Sequence, residues 1–181
     1  MATKLEEAVA QRLEPWSAAL GADRPVYTNH VLRVLSFCDA LAGRTSGNTT
    51  APSTREEFLT AAVFHDLGAW TANTFDYLAP SIDLAREWLT ANSREDLIPL
   101  VVTMIDDHHK IRRAHGAEVE LFRRADTIDV TAGLRRFGMA RNDYRAVLDR
   151  YPATGFRPRL ARFAAERTRA HPLSPFPMVK W

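Results

Sequence analysis

Apolar residues recur along the chain at the three-to-four-residue spacing of an α-helix. One stripe runs from Leu5 to Leu13, and another from Val31 to Leu41 in a segment that opens with Pro25, a residue suited to the first turn of a helix. The same spacing predicts further helices over residues 54–64, 82–88, 97–110, 117–132, 142–150 and 158–170. No segment alternates apolar and polar positions as a strand does, so the pattern predicts a compact all-α bundle of about six to eight helices.

Two stretches break the helical pattern. Residues 43–53 are polar and rich in turn formers, and the segment after Asp66 loses its periodicity until Ser81, which we expect to cap the next helix. A chain of 181 residues suits one domain with a substantial core, so we expect a single domain over residues 1–181. Within it, residues 133–181 are expected to form a basic helical extension that ends in a Pro-rich tail.

Composition is that of an ordinary globular protein, with 46% hydrophobic and 25% charged residues. No apolar run approaches the roughly 20 residues that cross a membrane, and the acidic, amphipathic first segment is unlike a signal peptide. The single cysteine, Cys38, lies in an apolar helical stretch and permits no intrachain disulfide. We therefore expect a cytoplasmic protein without a membrane partner.

The net charge of +2 is unevenly distributed. From Gly133 onward, eleven Arg and Lys residues stand against three Asp and Glu residues, which leaves the rest of the chain at about −6. Such a basic segment either contacts nucleic acid or an anionic substrate, or is a solvated Arg-rich helix. The interleaved aromatic residues and Gly-rich loops of nucleic-acid modules are missing from the sequence, which favours the solvated helix and argues against a nucleic-acid partner.

Candidate chemistry begins with His65 and Asp66, which follow the apolar segment FLTAAVF. An imidazole and a carboxylate buried side by side cost free energy unless a cation compensates them; the alternative is an ordinary helix-end histidine followed by a capping aspartate. His30 lies on an amphipathic helix, and Asp126 lies on the inward side of a later one, where an unpaired carboxylate would be costly. Together these four side chains form a candidate nitrogen and oxygen site for a catalytic metal.

The segments NHVLRVLSF, AAVFHDLG and ELFRRADTIDV resemble the signature of the HD-domain superfamily of metal-dependent phosphohydrolases. That signature is a His, then a His-Asp pair, then an Asp, on separate helices of one all-α domain, and the resemblance covers residues 26–132. It implies that His30, His65, Asp66 and Asp126 bind the metal, and that Asp66 also serves in catalysis. The ion implied is a divalent transition metal, which could be Mn, Fe, Co, Ni or Zn.

The segment MIDDHHKIRR resembles the paired-histidine region of HD proteins with larger metal centres. Neighbouring side chains on a helix point about 100° apart, so we expect one of the two to face the metal. His108 is then a candidate ligand and His109 a candidate catalytic residue; the alternative leaves both at a frayed helix end. No histidine lies between the His-Asp pair and this segment, which departs from dinuclear relatives and favours one ion over two.

Ala69 stands three residues after Asp66, where many members of the family have a Glu or Lys that acts as acid, base or metal bridge. That role is left open among His109 and the nearby aspartates Asp76, Asp106 and Asp107. The side chains predicted to bind substrate are of two kinds. Some are cations close in sequence to the predicted ligands, and one belongs to the loop TANTFDYLAPS. They are Arg33, Lys110, Arg112 and Tyr77. Each cation could instead be a solvated surface charge, and the loop could be purely structural.

Hydrolysis of a phosphoester is the leading functional hypothesis, with water activated by the metal and Lys or Arg offsetting the phosphate charge. The expected partner is a small anionic molecule, either a phosphorylated metabolite or a nucleotide. The alternatives on the same scaffold are a hydratase of small nitriles such as cyanamide, a diiron oxygenase that cleaves C–P or C–C bonds, and a non-catalytic ligand-binding module. The tryptophans and the Pro-rich tail are compatible with a homodimer interface.

Overall fold

The structure, a computed structural model, describes residues 2–43, 50–172 and 177–179. Over these ranges the chain forms α-helices and short 3₁₀ turns without any β-strand, as the sequence pattern predicts. Eight of the α-helices in the described ranges have nine or more residues, at the upper end of the predicted six to eight. The helices are α1 Lys4–Leu13, α2 Ser17–Leu20, α3 Arg24–Ala42, α4 Glu56–Phe64, α5 Gly68–Thr71, α6 Leu78–Ala91, α7 Ile98–Asp107, α8 Ala117–Val130, α9 Arg141–Arg150 and α10 Phe156–Ala170.

Helices α3 and α8 pack against each other at the centre of the fold. Pro25 lies in the first turn of α3, where its missing N–H group has no helical partner to lose. Most side chains of α3 from Tyr27 to Leu41 are buried, because other helices cover more than one of its faces. The two central helices therefore place polar side chains in the core, and His30 and Asp126 are among them.

A close approach between Gly68 and the start of α6 shapes the segment after the His-Asp pair. A Cβ atom at Gly68 would lie 2.5 Å from the carbonyl oxygen of Tyr77 and 2.7 Å from the backbone nitrogen of Ser81. The prediction that Ser81 caps a helix is wrong, because α6 already begins at Leu78. The Ser81 hydroxyl instead accepts a hydrogen bond from the backbone N–H of Gly68, at 3.0 Å.

The segment from Tyr151 to α10 contributes to the same core as the central helices, with Phe156 and Phe163 buried. Gly155 has a left-handed φ of +91°, and a Cβ there would lie 3.0 Å from Val26 in α3. A glycine at this position thus allows the chain to turn closely against α3 before α10 begins. Among the described helices, none combines the length and the apolar character that a membrane crossing requires.

Candidate metal centre

The four predicted ligands lie together in the core. His30 extends from the second turn of α3, His65 and Asp66 directly follow α4, and Asp126 lies in the third turn of α8. All four are fully buried. The Nε2 atoms of the two histidines are 2.9 Å apart. Asp66 Oδ2 lies 3.5–3.6 Å from these nitrogens, and Asp126 Oδ1 lies 3.6–3.8 Å from them.

Both histidines are held in the tautomer that leaves Nε2 available to a cation. Nδ1 of His30 donates to Asp129 Oδ2 at 2.7 Å, and Nδ1 of His65 donates to the carbonyl oxygen of Ala62 at 2.9 Å. Because a carboxylate and a carbonyl only accept hydrogen bonds, each Nδ1 carries the proton. The two Nε2 lone pairs consequently face each other unless a proton or a metal ion lies between them.

The carboxylates of Asp66 and Asp126 both lie beside the Nε2 atoms of His30 and His65. All four of their oxygens are buried, and none accepts a hydrogen bond within the described part of the chain. A buried carboxylate without a partner is costly, so this arrangement requires a positive charge. Two ligands bound to one transition metal at about 2.0–2.2 Å lie no more than about 4 Å apart. Nε2 of His30, Nε2 of His65 and Asp66 Oδ2 meet that condition among themselves, and Asp126 Oδ1 meets it toward both nitrogens.

The pKa values of these groups follow from the same geometry. Burial by itself would lower the pKa of His65, but the carboxylates of Asp66 and Asp126 outweigh burial and raise it to about 9. Burial likewise opposes ionisation of Asp66, yet the neighbouring histidines hold its pKa well below the usual range. The carboxylates therefore stay ionised and attract a cation to the position between the imidazoles.

His108 and His109 extend the cluster beyond these four residues. Nε2 of His108 lies 3.3 Å from Asp66 Oδ1, and Nδ1 of His109 lies 3.5 Å from Asp126 Oδ2. Asp66 thus presents one oxygen to His30 and His65 and the other oxygen to His108. Two overlapping groups of donors result, each compact enough for one ion, and they are His30–His65–Asp66 and Asp66–His108–His109.

The structure differs here from the expectation that only one of the paired histidines faces the metal. Helix α7 ends at Asp107, and a turn in which Lys110 N–H donates to the Asp107 carbonyl follows at once. The 100° offset between neighbours applies only inside a regular helix. Beyond the end of α7 both rings face the carboxylates, and their centroids are 3.9 Å apart.

Tyr77 closes the cluster on the side of α6. Its hydroxyl lies 2.7 Å from Nε2 of His109, and burial together with the Asp66 charge raises the pKa of Tyr77 well above its usual value. Burial and the nearby His108 lower the pKa of His109 to about 4. Near neutral pH, Tyr77 therefore keeps its proton and His109 is an uncharged imidazole. With 17% of its side chain exposed, His109 is also the histidine of the cluster that reaches solvent.

Arg33, predicted to bind substrate, points into the protein instead. Its Nε and Nη2 atoms each donate to a different oxygen of Asp129 at 2.7 Å. Its Nη1 donates to the carbonyl oxygens of Tyr151 and Pro152, at 3.3 and 2.9 Å. Only 1% of Arg33 is exposed, so an anion entering from solvent does not reach it. Sequence reasoning missed Asp129, although its position one helical turn after Asp126 was the available signal.

Other predicted residues lie outside the cluster. Asp76, a catalytic candidate, is more than half exposed, and its nearest ionic neighbour is Arg167 at 4.0 Å. It lies between the buried Phe75 and Tyr77 and consequently points away from the core. Lys110 pairs with Asp107 at 3.2 Å, and Arg112 is exposed on the segment that follows His109.

Comparison with family models, with curated proteins and with solved structures finds no significant match to this chain. The fold and the site by themselves define an all-helical protein whose buried histidines and aspartates could hold a metal ion. This description is compatible with an HD-like fold. The resemblance to that superfamily therefore rests on the sequence motifs and on their convergence in space.

Proposed function

We propose that the chain is a metal-dependent hydrolase of the HD type that acts on a small phosphorylated metabolite or nucleotide. One observation carries the proposal: imidazole Nε2 atoms converge in the core with four carboxylate oxygens that have no hydrogen-bond partner in the described residues, beside an uncharged, partly exposed His109. When bound, a divalent metal would supply Lewis acidity, polarising a phosphoryl oxygen and lowering the pKa of water.

The protein's own residues contribute binding and proton transfer in this proposal. His109 is uncharged near neutral pH, because burial holds its pKa at about 4, and Nε2 has a hydrogen-bonding partner in Tyr77. With 17% of its side chain exposed, His109 lies where a proton can pass between the cluster and a substrate that enters from solvent. Lys110 follows His109 in the chain and Arg112 stands two residues further on, so positive charge lies close to His109 in the sequence. An anionic substrate is consistent with that distribution of charge.

A second candidate function is favoured by the two overlapping donor groups. Asp66 directs its two oxygens to different histidines, which suits a carboxylate shared between two ions. Two irons so held would support oxygenase chemistry, which the absence of a further histidine in the sequence had argued against. Two ions are equally compatible with phosphoester hydrolysis. The type of metal and the consumption of O₂, and not the number of ions, therefore discriminate between the two candidates.

The test is elemental analysis of the purified chain and of Asp66→Ala, with Asp83→Ala on the exposed face of α6 as the matched control. We expect one or two transition-metal ions per chain in the parent and in Asp83→Ala, and loss of metal from Asp66→Ala. Metal-loaded parent protein should then release phosphate from members of a phosphoester panel in the presence of Mn, Co, Ni or Zn. Unchanged metal content in Asp66→Ala would contradict the site, whereas two irons with consumption of O₂ would support the oxygenase.

A further inference from the structure

A buried chain of charged groups runs from His30 away from the metal-facing side. Nδ1 of His30 donates to Asp129, and Asp129 accepts two further hydrogen bonds from Arg33. All three side chains are buried, with at most 1% of any of them exposed. We propose that Asp129, held by Arg33, is a positioning residue that orients His30 for metal binding. This inference rests on the proposed metal site.

The hydrogen bond between Asp129 and His30 determines which nitrogen of the ring is available. A carboxylate accepting at Nδ1 requires the proton at that atom and leaves the lone pair on Nε2. Nε2 is the atom that lies 2.9 Å from Nε2 of His65, on the side of Asp66 and Asp126. A carboxylate behind the ring also makes the imidazole a stronger electron donor. Asp129 thereby sets both the direction and the basicity of this ligand.

Arg33 keeps Asp129 in place. Its guanidinium makes two parallel hydrogen bonds to the carboxylate, and this fork allows a single orientation of the Asp129 side chain. The third nitrogen of the guanidinium donates to the carbonyl oxygens of Tyr151 and Pro152. Asp129 therefore remains ionised and cannot rotate away from His30 without leaving the Arg33 charge unpaired.

The same carbonyl contacts bring the segment before α10 to the metal centre. Phe156, five residues after Tyr151, stacks on the His30 ring with centroids 3.7 Å apart and an interplanar angle of 14°. The ring of His30 is thus held at its edge by Asp129 and across its face by Phe156. Arg33 contacts Asp129 and also the carbonyl oxygens of Tyr151 and Pro152, so the segment from Tyr151 to Phe156 belongs to the metal centre although it contains none of its ligands.

The first experiment compares Co(II) binding to the parent chain and to two double variants, Arg33→Met/Asp129→Leu and Arg33→Met/Asp129→Asn. Changing both partners avoids an unpaired buried charge, and Asn retains an oxygen that can accept from His30. Glu56→Gln is the matched control, since Glu56 pairs with Arg12 at 2.6 Å near the start of α4, away from the cluster. Competition with a chelator gives the affinity, and visible absorption reports the ligand field around cobalt.

We expect Arg33→Met/Asp129→Leu to bind Co(II) about 10–100-fold more weakly than the parent, with a changed visible spectrum. The Asn variant should recover part of the affinity, and Glu56→Gln should match the parent. A folded Leu variant that binds within twofold of the parent and keeps its spectrum would overturn the proposal. Cooperative thermal melting establishes that each variant is folded.

Nitrogen-15 NMR of the histidine rings in the parent chain tests the same inference without any variant. We expect His30 to carry its proton at Nδ1 in both the metal-free and the zinc-loaded protein. A His30 ring without a proton at Nδ1 would overturn the inference, even if the Leu variant does not fold. Should the parent bind neither Co(II) nor Zn(II), the metal site itself fails, while the NMR result for the metal-free chain still decides the role of Asp129.

Discussion

His30 and His65 face each other across the cluster with their Nε2 atoms 2.9 Å apart, although each ring has already committed its Nδ1 proton to another acceptor. Only a proton or a metal ion between the two nitrogens removes the repulsion of their lone pairs. Asp66 and Asp126 favour either one, because their carboxylates attract positive charge. The two cations therefore compete for one position, and binding of a metal must release a proton.

The first prediction concerns the pH dependence of the metal-free protein. The pKa of His65 is about 9 in the folded protein, against 6.5 for an exposed histidine of the unfolded chain, so the folded state binds more protons than the unfolded state in this interval. The protonation of His65 should then contribute its full stabilisation below pH 6.5. As pH rises from there to about 9, the free energy of unfolding should decrease by roughly 2–3 kcal/mol. Urea denaturation at pH 6, 7.5 and 9 measures it.

A bound metal should remove this dependence, since it replaces the proton between the histidines. Zn(II)-loaded protein is accordingly expected to lose no stability over the same interval, and His65→Asn without metal should also lack the decrease. If the metal-free parent were equally stable at pH 6 and pH 9, the raised pKa of His65 and the geometry behind it would be contradicted.

A second prediction concerns Gly68→Ala. The added Cβ would lie 2.5 Å from the Tyr77 carbonyl oxygen, so the start of α6 must move outward. We expect a loss of about 1–3 kcal/mol in the free energy of unfolding, together with weaker hydrogen bonding between Tyr77 and His109. Gly43→Ala is the matched control, because Gly43 has ordinary helical φ and a Cβ there would meet only the Asp39 carbonyl, at 3.4 Å. Equal stability of the two variants would disprove the close approach.

The helices were predicted from periodicity, and the convergence of four side chains was implied by the resemblance to the HD signature. Apolar stripes place His30 and Asp126 on inward faces, and the folded chain brings these faces together. The orientation of His108 and His109 depends instead on where α7 ends, which periodicity locates only to within a few residues. The role of Arg33 depends on Asp129, 96 residues further along the chain, and no local pattern shows that pairing.

The third prediction separates Tyr77 from an ordinary buried tyrosine. Tyr77→Phe removes the hydroxyl at 2.7 Å from His109 Nε2, whereas Tyr27→Phe removes one that donates to the Val63 carbonyl oxygen, at 2.9 Å. Both changes should cost about 1 kcal/mol of stability. Only Tyr77→Phe should shift the ring resonances of His109 and the pH profile of phosphoester hydrolysis. Identical His109 spectra in the two variants would argue against a role for Tyr77 at the site.

The last prediction tests the placement of Arg33 through stability. Arg33→Met leaves Asp129 buried without its ionic partner and removes the contacts to residues 151 and 152, so we expect a loss of about 3–5 kcal/mol. Arg162→Met, in a pair with Glu166 whose two side chains are 69% and 53% exposed, should cost about 1 kcal/mol or less. Chemical denaturation of both variants measures the difference. A loss below 1 kcal/mol for Arg33→Met would mean that its guanidinium is free to leave Asp129, and a contact between Arg33 and substrate phosphate would then become the better interpretation.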